Sequence, residues 1–226
     1  MILCLAQILD TERRARIDAL LAAAEFVDGA QTAGWHARLV KANRQASPGH
    51  PAAREAAALV SAALRDHAVF RSAVLPRRIA PPLFARYGGG ESYGTHVDDA
   101  LMGGDALRSP LRSDVAVTVF LADPESYAGG ELVIEDPAGE QAFRLGAGDA
   151  IAYPATSLHR VACVTSGERR VAVTWVQSLV RDAAQREILF DLDTARRQVF
   201  DREGKSGTFD LLAKSHANLL RRWAEP

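Results

Sequence analysis

The stretch Val115-Ala116-Val117-Thr118-Val119-Phe120-Leu121 decides the fold class. It is apolar, rich in β-branched residues and bounded by turns, the profile of a buried strand. Working outward, the same texture runs from about residue 77 to 179. Segments 78–87, 114–122, 131–135, 141–145, 149–153, 158–164 and 169–179 are strand candidates at about ten-residue spacing. Between them, Pro137-Ala138-Gly139-Glu140 and Gly146-Ala147-Gly148-Asp149 are tight-turn material. Many short strands so spaced indicate a β-sandwich, a jelly roll or a barrel.

The flanks read as helix. Ile2 to Leu9 is a strand candidate, and Asp10 is a good N-cap for a helix over roughly 11–25 with Ile17, Leu20, Leu21 and Ala24 on one face. Residues 27–34, with two glycines, read as a loop. Ser47-Pro48-Gly49-His50-Pro51 breaks the chain before a second helix, about 51–68, with Leu59, Ala63 and Leu64 as core candidates. In the tail, Ile188, Leu192, Ala195 and Val199 recur at helical spacing, and Gly204-Lys205-Ser206-Gly207 ends that helix. Phe209, Leu212, His216, Leu219 and Trp223 form a second stripe, and each stripe needs a surface to dock on. The expectation is an α+β chain with a mainly β core: a support region over 1–77, the core over 78–179 and a C-terminal helical region over 180–226.

The chain has 226 residues, enough for one domain of ordinary size, and its 48% hydrophobic and 24% charged residues exclude a disordered chain. Lys+Arg number 27 and Asp+Glu 28, so no basic excess points to nucleic acid. Two cysteines, Cys4 and Cys163, make neither a disulfide framework nor a CxxC zinc site. Apolar runs fall far short of the ~20 residues of a membrane span. The start, Met1 to Asp10, lacks a basic region and a cleavage site, so the expected compartment is the cytoplasm.

In Arg86-Tyr87-Gly88-Gly89-Gly90-Glu91-Ser92-Tyr93-Gly94-Thr95-His96-Val97-Asp98, an imidazole and a carboxylate stand two residues apart. In an extended segment residues i and i+2 project to the same side, so both can reach one metal ion. Alone, H-x-D is equally well read as a surface turn. His159 changes the weighing, because it opens a strand candidate after the turn at Pro154, and rolled-up β structure can bring distant strands face to face. Two histidines and one carboxylate are the facial triad of non-haem iron(II) oxygenases, and no nearby cysteine suggests a thiolate zinc site. Arg169, ten residues further, can clamp a carboxylate through two parallel hydrogen bonds. Alternation puts Arg169 in phase with Val171, Val173 and Trp175, and Arg170 with Ala172, Thr174 and Val176, without choosing which arginine turns inward.

These residues carry a resemblance. H-x-D, a distant His and an Arg ten residues on form the pattern of Fe(II)/2-oxoglutarate-dependent dioxygenases. Arg86-Tyr87 through Asp98, with Tyr127-Ala128-Gly129-Gly130-Glu131-Leu132, looks like the prolyl 4-hydroxylase branch. The start Met1-Ile2-Leu3, the Gly-Gly-Glu-Leu strand, the Trp175-Val176-Gln177-Ser178 ending and the helical tail are similar to bacterial PKHD-type hydroxylases. The resemblance implies a double-stranded β-helix, or jelly roll, over 78–179, with Fe(2+) on His96, Asp98 and His159 and 2-oxoglutarate on Arg169. It implies O2 as the other cosubstrate, L-ascorbate to rescue oxidised iron, and hydroxylation with release of succinate and CO2. It needs no side chain as a general base, and it links some members to iron uptake. The substrate stays open: a peptidyl side chain, a siderophore or another small molecule. The C-terminal helices could serve a homodimer. Two rivals are a cupin-like metalloenzyme without 2-oxoglutarate, which needs no Arg169 clamp, and a non-catalytic iron-binding module.

Other residues read more plainly. His36, His50, His67 and His216 have no partner at ligand spacing, and Asp99 is expected on the side of the strand opposite Asp98. Gly129-Gly130-Glu131 reads as a turn or bulge entering a strand, and Gly88-Gly89-Gly90 is no phosphate loop, since no helix with Lys-Ser/Thr follows. Tyr87 and Tyr93 could line the cosubstrate pocket, although aromatic strand residues are more often core. Cys163 reads as a small apolar strand residue.

Overall fold

Two antiparallel sheets pack against each other. A computed structural model describes residues 1–32, 34–102 and 110–226. The large sheet runs Leu3–Leu5, Ala150–Pro154, Val115–Phe120, Arg169–Ser178, Leu83–Tyr87, Arg44–Ala46, Phe26–Asp28, with Pro76–Ile79 also paired to Arg169–Ser178. The small sheet runs Gly139–Phe143, Leu132–Asp136, His159–Val161, Ser92–His96, Lys41–Ala42.

Val115–Phe120 is buried along its whole length because both of its faces are covered. Val115, Val117 and Val119 join a core with the helices, while Ala116 and Phe120 join a second core with Leu132, Ile134 and Val161 of the small sheet. The same alternation resolves the arginine question. Val171, Val173 and Trp175, in phase with Arg169, pack between the sheets, and Ala172 and Val176, in phase with Arg170, pack on the helical side. Arg169 is 1% exposed, whereas Arg170 reaches out to pair with Asp18 at 2.7 Å.

Three helices cover the outer face of the large sheet: α1, Thr11–Ala22; α2, Pro51–Asp66; and α3, Ala68–Val74. Asp10 caps α1, accepting from the Arg13 amide at 2.7 Å. The stretch expected to be one helix over 51–68 breaks at His67. His50 and His67 are caps, each Nδ1 accepting a backbone N–H at 3.2 Å, from Ala52 and Phe70 respectively. Alanines on the buried face of α2 (Ala53, Ala56, Ala57, Ala63) allow close approach, and Leu64, Phe70 and Ile17 fill the core at about 1.5–3 kcal/mol each.

Several expectations shift. Part of the loop expected over 27–34 joins the large sheet through Phe26–Asp28 and continues as a 3-10 turn, Gly29–Thr32; residue 33 lies outside the described residues. The strand expected over 158–164 divides into His159–Val161 and Val164–Gly167, and Cys163 is a free, exposed thiol between them rather than a packed strand residue. In the tail, α4 spans Ala183–Glu203 and α5 spans Gly207–Trp223. The expected stripe of α4 holds at Val199, which is buried, but at the start of the helix Leu189 is fully buried and Ile188 is 46% exposed. The half-buried stripe of α5 faces α4, and the terminus is tied to the body where Arg112 donates to Glu225 at 2.9 Å and the Glu225 amide to Leu179 O at 2.7 Å. Among the described residues, no helix is long and apolar enough to cross a membrane.

Candidate metal centre

The strand Ser92–His96 pairs with His159–Val161 so that His159 stands opposite His96, their ring centroids 4.2 Å apart. The strand ends at His96, so Asp98 arrives from the irregular segment beyond it, not by strand alternation. Its Oδ1 lies 3.8 Å from His159 Nε2. One donor atom from each of the three residues falls within 4.8 Å of the others, and among the described residues no other such group converges. Because the strand has ended, Asp99 borders the same pocket instead of turning away.

The two imidazoles are oriented alike. His96 Nδ1 donates to Gly94 O at 2.8 Å and His159 Nδ1 to Ser157 O at 3.1 Å. A carbonyl only accepts, so each Nδ1 carries the proton and each Nε2 keeps its lone pair for a metal. Tyr93 stacks on His96 at 3.7 Å and Tyr153 meets His159 edge-on at 5.2 Å, fixing both rings. Burial, then the neighbouring His159, pushes the His96 imidazolium down to about 4, so the ring is neutral at pH 7. Burial pushes the Asp98 carboxyl up. Asp98 Oδ2 is buried without a hydrogen-bond partner. A dry carboxylate with an orphaned oxygen beside two imidazole nitrogens is a site short of a cation, and this N,N,O set suits iron(II) while leaving coordination positions open.

These groups line a pocket of about 620 Å³ that also contains Arg169, Tyr87 and Lys41. The Arg169 guanidinium lies 5.2 Å from the Tyr87 ring and 5.7 Å from that of Phe120. Its Nε has no partner, and among the described residues no carboxylate stands within ion-pair distance. Burial pushes this guanidinium down in pKa. Gly129 and Gly130, both at positive φ, form the bulge expected there; a Cβ on Gly130 would come within 3.0 Å of Arg169 Cδ and 2.9 Å of a Val164 methyl. The glycines therefore let the bulge close over the arginine stem. A smaller depression of about 390 Å³, beside α2 and Leu83–Tyr87, holds none of these groups.

Two pocket residues lie outside the expected site set, Lys41 without any signal in the sequence and Trp175 with only its phase alongside Arg169. Lys41, in strand pairing with Tyr93, brings Nζ 5.0 Å from that ring, and burial lowers its ammonium to about 8 against the pull of Asp98 and Asp28. Trp175 lines the pocket from the Arg169 strand. Of the other histidines, none joins the triad: His36 sits beside Trp35 and His216 is half-buried on α5.

Residues 82–177 match the model of the 2OG-Fe(II) oxygenase superfamily and residues 183–225 that of the PKHD-type hydroxylase C-terminal domain. A PKHD-type hydroxylase of Acaryochloris marina is 53% identical over 225 residues, covering all of both chains. Among solved structures, a prolyl hydroxylase of Trichoplax adhaerens, in complex with a hypoxia inducible factor oxygen degradation domain peptide, is similar at TM-score 0.58 and 14% identity over 83% of this chain and 86% of that one. The viral collagen prolyl hydroxylase of Paramecium Bursaria Chlorella virus-1, in its 2OG complex, gives 0.51 and 19% over 78% and 95%. With both parts matched in order and half of all residues shared with a relative of equal length, the chain belongs to the PKHD-type hydroxylases of the 2OG-Fe(II) oxygenase superfamily.

Proposed function

We propose that the chain hydroxylates an organic substrate at a centre in which His96, Asp98 and His159 hold iron(II) and Arg169 holds the distal carboxylate of 2-oxoglutarate. One observation carries the reading. A triad short of a cation and a buried guanidinium short of an anion share one pocket. That pairing disfavours a cupin-like site without the keto acid, where a buried Arg169 has no purpose.

Bound iron(II), with 2-oxoglutarate and O2, supplies the oxidation that places a hydroxyl on a substrate carbon and releases succinate and CO2. The chain's own part is orientation and exclusion. The backbone carbonyls of Gly94 and Ser157 aim both Nε2 lone pairs, and the Arg169 fork sets the keto acid's direction. Tyr87, Tyr153, Leu132 and Val161 line the pocket and keep it dry, which strengthens every charge contact inside. No side chain is needed as a general base. On this reading the two sheets are the halves of a double-stranded β-helix over 78–179, with 1–77 as support and 180–226 as a helical region. L-ascorbate as reductant and a part in iron uptake belong to the proposal through the family resemblance alone.

The test is anaerobic reconstitution with iron(II) and 2-oxoglutarate. A weak visible charge-transfer band is expected, with succinate on admitting O2. A His96→Ala/Asp98→Ala/His159→Ala variant that still binds stoichiometric iron and forms succinate overturns the site.

A further inference from the structure

The pocket exceeds what its chemistry needs, since a five-carbon keto acid between the triad and Arg169 fills only part of about 620 Å³. On the reading above, on which this inference rests, the metal takes up the Asp98 charge and the cosubstrate that of Arg169. Lys41 remains. Its Nζ donates to Thr32 Oγ1, a neutral acceptor, at 3.1 Å, and no carboxylate among the described residues is within ion-pair distance. Asp28 and Asp98 act on it only from further away, and Asp99 at the pocket border is exposed to water. A half-buried ammonium whose partners are a neutral hydroxyl and the Tyr93 ring is costly unless an anion joins it.

Apolar side chains that line the same pocket stay partly in water: Leu101 is 55% exposed and Val97 38%. Val97 and Leu101 flank Asp98 to Ala100, on the side of the pocket that carries the third metal-ligand candidate. Exposed apolar groups gathered around a pocket with one convergent charge mark a ligand surface.

We propose that Lys41 binds an anionic group of the prime substrate, and that this substrate is an amphiphilic carboxylate whose apolar body lies against Val97 and Leu101. Strand pairing of Lys41 with Tyr93, and the stacking of Tyr93 on His96, hold the anion at a set distance from the metal ligands. The enzyme thereby selects a carbon at a set number of bonds from the carboxylate.

The probes are octanoate, octylammonium, octan-1-ol and acetate, titrated calorimetrically into the iron-loaded protein, anaerobically and at saturating 2-oxoglutarate so that Arg169 is occupied. Octanoate is expected to bind about tenfold or more tightly than octylammonium or acetate. Lys41→Met should bring octanoate to the level of octanol, Lys41→Arg should restore most of the difference, and Leu101→Ser should weaken octanoate and octanol by the same factor. A wild-type protein that prefers octylammonium, or treats it and octanoate alike, overturns the proposal without any variant. So does a Lys41→Met protein that keeps the preference. An acetylated, amidated Leu-Glu-Leu peptide against its Gln counterpart tells a peptidyl carboxylate from a free one. Failure of 2-oxoglutarate to bind would sink the parent reading instead, and the octanoate series, repeated without it, still decides the role of Lys41.

Discussion

Replacing Arg169 by Met should stabilise the ligand-free protein while disabling it. Arg169 is 1% exposed, has an unpartnered Nε and meets no carboxylate among the described residues. Burying such an ion costs several kcal/mol after relaxation. The rings of Tyr87 and Phe120, at 5.2 and 5.7 Å, return about 0.5–2 kcal/mol each. A Met of similar length keeps the stem packing without the charge, so the apoprotein should gain about 1–2 kcal/mol. For a chain of this size that raises Tm by roughly 2–8 °C. On the proposed reading the same change removes a charge-assisted pair from the cosubstrate and should cost about 2–4 kcal/mol, or roughly 30- to 1,000-fold in 2-oxoglutarate affinity, with iron affinity hardly changed. Arg170→Met is the control: its half-exposed pair with Asp18 contributes about 0.2–1 kcal/mol. Calorimetric melting and 2-oxoglutarate titration of both variants decide the matter. A ligand-free Arg169→Met protein that melts lower than wild type, or an affinity loss carried by Arg170→Met, refutes the reasoning.

Gly130→Ala should cost about 1–3 kcal/mol by forcing a side chain into positive φ. It should also weaken 2-oxoglutarate binding, since the new methyl meets the Arg169 stem at 3.0 Å; unchanged affinity at lowered stability would separate the bulge from the pocket. Lys41 holds its proton to 10.5 in the unfolded chain and only to about 8 in the fold, so between those values the unfolded state binds more protons and stability rises with pH. Lys41→Met should therefore exceed wild type by roughly 1–3 kcal/mol below pH 8, the gap closing by about pH 10.5; urea titrations across that range measure it. Truncation after Ser178 removes Val180, Leu189 and Val199 from the core, about 5–9 kcal/mol and comparable to a whole domain's stability, so the shortened chain should be insoluble or melt far lower than the parent.

The strands of the core were legible because Val115–Phe120 and Arg169–Ser178 are buried on both faces and therefore read as apolar runs. His96, Asp98, His159 and Arg169 were legible as a spaced set, yet the fold joins the first two by a route other than strand alternation, since Asp98 lies past the strand's end. Short edge pieces such as Lys41–Ala42 and Phe26–Asp28 left no periodic trace, being two or three residues long and paired by long-range contacts. Lys41 escaped notice for that reason. At the start of α4 the expected Ile188 gave way to Leu189 because both are apolar and only packing distinguishes them, while Val199 is buried as expected. His50 and His67 act as caps through Nδ1, a role ordinarily filled by Ser, Thr, Asp or Asn, so residue type gave no hint.

The pairing of His159 opposite His96 across adjacent strands has a consequence for metal supply. Two of the three donors are fixed by the ladder, by backbone carbonyls and by stacked rings, so the cradle is built before any ion arrives. A cradle already shaped asks little reorganisation of whichever divalent ion reaches it first. Nitrogen and oxygen donors hold nickel, copper and zinc more tightly than iron(II). On the proposed reading, correct loading then depends on what the surroundings deliver rather than on selection at the site, and trace nickel, copper or zinc is expected to silence turnover.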